Sequence, residues 1–182
     1  IGTYYHPKLV FILERIIKTL PEREYIAGLA EVIKCGIISD KKIISLLQKN
    51  RPEILKRKSS VILKLCYLTL KTKIKFFIND IYEKDRRLSL NFGHTFAHAI
   101  EMAIDKSSKK DNIRHGEAVG IGMLCEIYYE KKKKEKIFKI TKSLLENYKL
   151  PTGLSIKNIS SNKTNLQNTI YKNIFLDKKR LN

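Results

Sequence analysis

Three of the four histidines of this chain lie close together in the sequence. His94 and His98 are four residues apart within the apolar stretch from Leu90 to Glu101, and His115 follows seventeen residues after His98. Two histidines at this spacing share one face of a helix, as in zinc sites of the His-x-x-x-His kind. A catalytic zinc keeps three protein ligands and an open position, so the third ligand would be His115 or an acidic side chain. A single histidine is more often structural, but the cluster predicts metal or proton chemistry.

Apolar residues at three- and four-residue spacing predict the helices that must position these side chains. Val10 to Leu13 is the only segment that resembles a strand, and Asn79 to Arg86 is expected to be a loop. The expected helices run from Pro21 to about Ile37, from Asp40 to Leu47, from Ser59 or Ser60 to about Ile74, from about Leu88 to Ile104, from about His115 to Lys131, from Glu135 to Tyr148 and near Leu166 to Phe175. The sequence therefore predicts an all-α helical bundle with at most one or two short strands near the N-terminus.

The bulk composition is that of one ordinary domain over residues 1–182, with 43% hydrophobic residues to form a core. No apolar run is long enough to span a membrane. Cys35, Cys66 and Cys125 are odd in number and widely spaced, which predicts buried thiols in the reducing cytoplasm. The opening residues from Ile1 to Pro7 resemble the interior of a longer protein, so we expect a fragment or one domain of it.

The formal net charge of +19 could indicate a nucleic-acid-binding protein. However, the lysines are spread over every segment, and the densest run, from Lys131 to Lys134, follows an apolar stretch as the solvated end of a helix would. No helix-turn-helix or base-stacking pattern accompanies the charge. The sequence therefore does not favour nucleic acid as a partner.

Three motifs in order along the chain carry a family resemblance. They are Glu31-Val32-Ile33-Lys34-x-Gly36, Leu90-Asn91-Phe92-Gly93-His94-Thr95-x-x-His98-Ala99-Ile100-Glu101 and His115-Gly116-Glu117-Ala118-Val119. Together they closely resemble the C-terminal domain of 3-dehydroquinate synthase. The resemblance extends over nearly the whole chain, and three motifs in register make a chance match very improbable.

The resemblance implies a metal site formed by Glu31, His94 and His115. It places His98 in the substrate pocket rather than on the metal, and it gives catalytic roles to Lys34 and His98. The further substrate-binding positions that it implies are Lys73, Arg87, Asn91 and His98, with one of Lys178 and Lys179 contacting phosphate.

The implied reaction converts 3-deoxy-D-arabino-heptulosonate 7-phosphate to 3-dehydroquinate and phosphate, a lyase step of the shikimate pathway of aromatic amino acid biosynthesis. The implied cofactors are Zn²⁺, or Co²⁺ in its place, and NAD. The chain contains no glycine-rich phosphate cradle, so we expect NAD to be bound mainly by an N-terminal nucleotide-binding domain that is absent from this chain. We therefore expect the 182 residues alone to be inactive, and the family resemblance implies a homodimer.

Three features depart from the family pattern. Ala97 and Asp85 each stand where glycine is usual, and the turn between Glu101 and His115 is several residues longer. Alternatives to 3-dehydroquinate synthase are another sugar-phosphate cyclase, such as 2-deoxy-scyllo-inosose synthase, the more distant metal-dependent polyol dehydrogenases, or a non-catalytic basic helical remnant. The three motifs favour the first interpretation.

Overall fold

The computed structural model of this chain describes residues 8–78, 80–105, 113–130, 135–154 and 163–176. The α-helices in these ranges are α1 (Glu14–Ile17), α2 (Glu22–Ile38), α3 (Lys41–Lys49), α4 (Arg51–Leu55), α5 (Ser59–Phe77), α6 (His94–Asp105), α7 (His115–Tyr129), α8 (Glu135–Asn147) and α9 (Lys163–Leu176), and one 3₁₀ helix spans Arg86–Asn91. No β-strand occurs in these ranges, and the predicted all-α class is confirmed.

Helix α2 packs against α3, α5, α7 and α8 and so forms the centre of the bundle. Pro21 directly precedes it, and Glu22 and Glu24 lie in its first turn, where acidic side chains interact favourably with the positive end of the helix dipole. The buried apolar residues of α2 include Ile26, Leu29, Ala30 and Ile33. This apolar stripe fixes the rotation of α2, and therefore the direction of its polar residues.

Helix α7 is the most deeply buried helix that the structure describes. It packs against α2, α6 and α8, and α6 in turn packs against α7 and α9. The buried residues of α7 are Gly116, Ala118, Val119, Gly120, Ile121, Gly122, Met123, Leu124 and Ile127. A helix that is apolar on most sides must lie inside a bundle, and its glycines let neighbouring backbones approach closely.

Several predicted helix boundaries are confirmed. The Asp40 side chain accepts a hydrogen bond from the Lys42 backbone N–H at 2.9 Å, which caps α3. Helix α5 begins at Ser59, and α7, α8 and α9 cover the segments predicted for them to within a few residues.

The strand suggested for Val10 to Leu13 is wrong. The backbone at Leu13 is extended, but the segment pairs with no strand in the described part of the chain and leads directly into α1. Its side chains are exposed, with Phe11 at 82%. A β-branched and aromatic run favours a strand only where a second strand supplies hydrogen-bond partners.

The helix predicted from Leu88 to Ile104 is wrong at its start, since the α-helix begins only at His94. Residues 86–91 form the 3₁₀ helix, and Gly93 has a φ of +82°, a left-handed conformation that ends one helix and starts the next. The apolar pattern continues through this break, so periodicity alone cannot locate it.

Within the described ranges, no helix combines the length and the apolar character needed to cross a bilayer. All three cysteines are free thiols, as predicted, but only Cys35 is fully buried. Residues 106–112 of the turn between Glu101 and His115, and the phosphate-binding candidates Lys178 and Lys179, lie outside the described residues.

Candidate metal centre

One acidic and two imidazole side chains converge at the N-terminal ends of α6 and α7. Glu31 comes from the middle of α2, while His94 and His115 are the first residues of α6 and α7. Each offers one ligand atom, and these three atoms lie within 4.8 Å of one another. Glu31 Oε1 is 3.6 Å from His94 Nε2, and the ring centroids of His94 and His115 are 5.2 Å apart. Such a donor set fits a zinc ion with a remaining open position.

Close backbone contacts at two glycines hold the three elements at this distance. A Cβ atom on Gly116 would lie 1.9 Å from the carbonyl oxygen of Ala27, so α7 touches the backbone of α2 beside His115. A Cβ atom on Gly122 would lie 2.0 Å from the carbonyl oxygen of Gly93, directly before α6. Any larger residue at either position would push a histidine-bearing helix away from its neighbour.

Two carboxylates of α7 fix the starts of the two ligand helices. Glu117 accepts the backbone N–H of Arg114 at 2.9 Å, and the Arg23 guanidinium on α2 donates to both of its oxygens at 2.7 and 2.9 Å. Glu126 accepts the backbone N–H groups of Gly93 and Thr95 at the start of α6. Helix N-termini favour negative charge, and against the effect of burial Arg23 and Arg114 lower the pKa of Glu117, so this acid is ionised there. Burial raises the pKa of Glu126, which stabilises the start of α6 through its hydrogen bonds.

The Nδ1 atoms of the two predicted ligand histidines each have a hydrogen-bond partner. His94 Nδ1 lies 3.3 Å from the Phe92 carbonyl oxygen, and His115 Nδ1 lies 3.0 Å from Glu101 Oε1. When Nδ1 carries the donated proton, Nε2 keeps its lone pair for a metal ion. Both rings are therefore oriented to bind through Nε2.

Two lysines surround the Glu31 carboxylate. Lys34 is 2% exposed, and its Nζ lies 3.0 and 2.9 Å from the two Glu31 oxygens. Lys34 Nζ also donates to the Leu90 carbonyl at 2.6 Å, which ties α2 to the 3₁₀ helix. Lys73 Nζ on α5 lies 3.7 Å from Glu31 Oε2. The predicted residues Lys34 and Lys73 thus lie at the same site as the predicted ligands.

The protonation states of Glu31 and His94 at neutral pH are those that a metal ligand requires. Burial opposes ionisation of Glu31, but Lys34, Lys73 and His94 outweigh it and lower the pKa of Glu31. Burial and the neighbouring Lys34 lower the pKa of His94 to about 4, so its ring is neutral and its contact with Glu31 is not an ion pair. Burial also lowers the pKa of Lys34, although Glu31 offsets part of this.

His98 lies beside the three converging residues without joining them. Its ring centroid is 5.6 Å from that of His94 and 6.3 Å from that of His115, and it is half-buried. The three residues whose ligand atoms lie within 4.8 Å of one another are His94, His115 and Glu31, and His98 is not among them. The helical pair His94 and His98 is therefore not the geometric core of the site.

The predicted substrate residues Arg87 and Asn91 lie on the segment before α6. The Asp80 carboxylate organises this segment by accepting backbone N–H groups of Lys84, Asp85 and Arg87 at 2.8, 2.8 and 3.0 Å. The Arg87 guanidinium donates to the Ile81 carbonyl and lies 5.1 Å from the centre of the Phe77 ring.

The Asn91 amide donates to Glu83, whose carboxylate also lies 4.0 Å from the Arg87 guanidinium. Both predicted substrate residues are thus held by the loop itself. Asp85, which departs from the family glycine, donates its backbone N–H to Asp80.

Sequence reasoning did not identify Asp80, Glu101, Glu117 or Glu126 as parts of the site. A signal existed for two of them. Glu101 follows His94 by seven residues and so shares its helix face, and Glu117 is an acid in the first turn of α7. Glu126 caps a helix other than its own, which no local pattern can indicate.

The fold and the site together define a class of protein: a helical domain that brings one carboxylate and two imidazoles together in a group that could hold a metal ion. The family model of the 3-dehydroquinate synthase C-terminal domain matches residues 28–180. The chain therefore belongs to the 3-dehydroquinate synthase C-terminal family.

Individual relatives agree with this assignment. The chain is 37% identical to the 3-dehydroquinate synthase of Thermodesulfovibrio yellowstonii, over 100% of this chain and 48% of that protein. It is 35% identical to the 3-dehydroquinate synthase of Clostridium tetani, over 96% of this chain and 49% of that protein. The chain thus spans about half the length of the curated relatives it matches.

A solved structure shares the fold. It is a 2-epi-5-epi-valiolone synthase from Streptomyces hygroscopicus subsp. jinggangensis with NAD⁺ and Zn²⁺ bound. The TM-score is 0.76 at 19% sequence identity, over 98% of this chain and 49% of the other. At this identity the match establishes the architecture of the bundle.

Proposed function

We propose that this chain is the metal- and substrate-binding domain of a 3-dehydroquinate synthase, which converts 3-deoxy-D-arabino-heptulosonate 7-phosphate to 3-dehydroquinate and phosphate. The observation that carries the proposal is the convergence of Glu31, His94 and His115 to within 4.8 Å in a member of this family. The three residues come from helices far apart in the chain, so no local sequence effect accounts for their meeting.

We assign the metal ligands as Glu31, His94 and His115. A bound Zn²⁺, or Co²⁺ in its place, supplies a Lewis acid that stabilises negative charge on a substrate oxygen. Among the described residues these three donors fit that ion, and the neutral His94 ring needs no deprotonation.

The cationic residues around the site suit an anionic substrate. The Lys73 side chain is 46% exposed, and its Nζ lies at the edge of the Glu31 carboxylate, where it can reach a substrate carboxylate or hydroxyl. Arg87 and Asn91 are held by the loop organised by Asp80, which positions them before substrate binds. One of Lys178 and Lys179 is our candidate for the phosphate contact.

Lys34 and His98 are the candidates for proton transfer. Burial lowers the pKa of Lys34, so its Nζ gives up a proton more readily than a surface lysine does. The half-buried His98 ring lies beside the ligand rings and outside the converging trio, and family membership supports a catalytic role for it at the substrate.

NAD would be bound mainly by an N-terminal nucleotide-binding domain, and the complete enzyme would act in the cytoplasm as a homodimer. These are expectations from family membership. In this scheme the present chain contributes the metal ion and the substrate contacts, and the partner domain contributes the cofactor.

Metal analysis of single variants tests the ligand assignment. Glu31→Ala, His94→Ala and His115→Ala should each abolish tight zinc binding after exhaustive dialysis, because a three-ligand site cannot retain zinc on two. His98→Ala is the matched control, since it removes an imidazole from the same helix face but should retain one zinc per chain. Metal loss in His98→Ala together with retained zinc in Glu31→Ala would favour the helical histidine pair instead.

Turnover separates the candidate reactions. Joined to its nucleotide-binding domain, the chain should release phosphate from the heptulosonate phosphate and should not act on glucose 6-phosphate, the substrate expected for a 2-deoxy-scyllo-inosose synthase. His98→Ala should lower kcat while zinc content stays unchanged. A parent chain that holds no zinc would indicate a non-catalytic helical remnant and would contradict the proposal.

A further inference from the structure

One metal-ligand candidate contacts an acidic side chain from another helix. Helix α6 presents His94, His98 and Glu101 on one face, because these positions are four and three residues apart. The Glu101 carboxylate at the end of this row reaches across to α7, where its Oε1 lies 3.0 Å from His115 Nδ1. The side chains of Glu101 and His115 are 30% and 49% exposed.

The two imidazoles of the site are oriented in different ways. His94 Nδ1 faces the backbone carbonyl of Phe92, two residues earlier in the chain, so the fold itself fixes that ring. His115 Nδ1 instead faces the side chain of Glu101, fourteen residues earlier. His115 is half-exposed and begins its helix, so packing restrains its χ1 and χ2 angles less than those of a buried side chain.

We propose that Glu101 is a positioning residue that selects the Nδ1–H form of His115 and directs its Nε2 atom towards Glu31 and His94. The inference rests on the proposed metal site and adds the residue that completes it. A carboxylate behind a ligating imidazole fixes the tautomer, orients the ring and increases the basicity of the nitrogen that binds metal. Here the same contact joins α6 to α7, so the helix that carries one ligand also orients the other.

Glu101 lies at a position of α6 with little packing value. Its neighbours on α6, Ile100 and Ala103, are 2% and 3% exposed and belong to the core, whereas Glu101 lies at the border of the site. Its removal should therefore affect the site more than the stability of the bundle.

Zinc affinity measured by competition with a chromophoric chelator tests the proposal. Glu101→Ala should weaken zinc binding by about 10- to 100-fold, the usual effect of removing such a partner. Glu101→Gln should lose less, because its amide oxygen still accepts from Nδ1 but without charge. Glu135→Ala is the matched control, since it removes the same charge from the exposed first turn of α8 and should bind zinc like the parent.

Nitrogen NMR of the metal-free chain gives a second measurement that does not depend on zinc. Above the pKa of His115, the neutral ring should be mainly Nδ1–H in the parent, and this preference should disappear in Glu101→Ala. Parent-like zinc affinity in Glu101→Ala, or an Nε2–H ring in the parent, would overturn the inference. A parent chain without zinc affinity would instead overturn the proposed function, and Glu101→Gln keeps the test valid should the alanine variant unfold.

Discussion

A substitution at the contact between Gly116 and Ala27 should move two predicted metal ligands, Glu31 and His115, apart in space without changing either of them. Gly116 directly follows His115, and its Cα faces the backbone of α2 one turn before Glu31. The substitution Gly116→Ala adds one methyl group at this crossing. It leaves every predicted ligand and every charge in place.

The size of the effect follows from the geometry. The new Cβ would lie 1.9 Å from the Ala27 carbonyl oxygen and 2.5 Å from its carbon, whereas real Cβ atoms keep at least 3.0 Å. The obstacle is backbone, so α7 and α2 must separate by about 1 Å. Metal–ligand distances tolerate only about 0.2 Å, and overpacking of this kind costs roughly 1–3 kcal/mol of the free energy of unfolding. We expect at least about tenfold weaker zinc binding.

Chelator competition and thermal unfolding of Gly116→Ala check this prediction. Gly28→Ala is the control on the facing helix, because a Cβ atom there meets nothing within 4 Å. That variant should bind zinc normally and gain up to about 1 kcal/mol from the higher helix propensity of alanine. If Gly116→Ala matched the parent in both zinc affinity and melting temperature, the close helix crossing could not be what holds His115 near Glu31.

Three further predictions concern the elements around the site. Gly93→Ala should destabilise the chain by at least about 1–2 kcal/mol in chemical denaturation, because its φ of +82° is unfavourable for other residues; parent-like stability would contradict the left-handed turn before α6. Glu117→Gln should lose about 1–2 kcal/mol at pH 7. Burial raises the pKa of Glu117, but the hydrogen bond from Arg23 outweighs it and lowers the pKa. The stabilisation is therefore present at neutral pH and disappears as the pH falls through the folded-state pKa. A stability difference between Glu117→Gln and the parent that grows in acid would refute this prediction. Zinc affinity should fall by about tenfold per pH unit below the pKa of His115, which the Glu101 hydrogen bond raises, because one proton competes with the metal at this ring. The pKa of His94 near 4 keeps that ring neutral down to about pH 5, so a slope of two protons in a chelator titration above this pH would contradict the prediction.

The helical content of this chain could be predicted from the sequence because its signals are local. Asp40 caps α3 and Pro21 precedes α2 as expected, since a cap or a proline acts on backbone groups within one turn. The predictions of a strand at Val10 to Leu13 and of a helix start at Leu88 were wrong, because both features depend on residues far away in the chain. A strand needs a distant partner, and the turn at Gly93 is set by its contact with Gly122 on another helix.

The sequence by itself determined which residue types are available for chemistry and the helices that carry them. The histidine spacing indicated His94 and His98 as a pair, and only the family motifs directed attention to Glu31. The tertiary structure decided which of them meet, because α2, α6 and α7 cross where glycines allow backbone contact. It also brought Glu101 and Glu126 to hydrogen-bond partners on or next to other helices. Distances between helices depend on packing of residues far apart in the chain, and local periodicity contains no information about them.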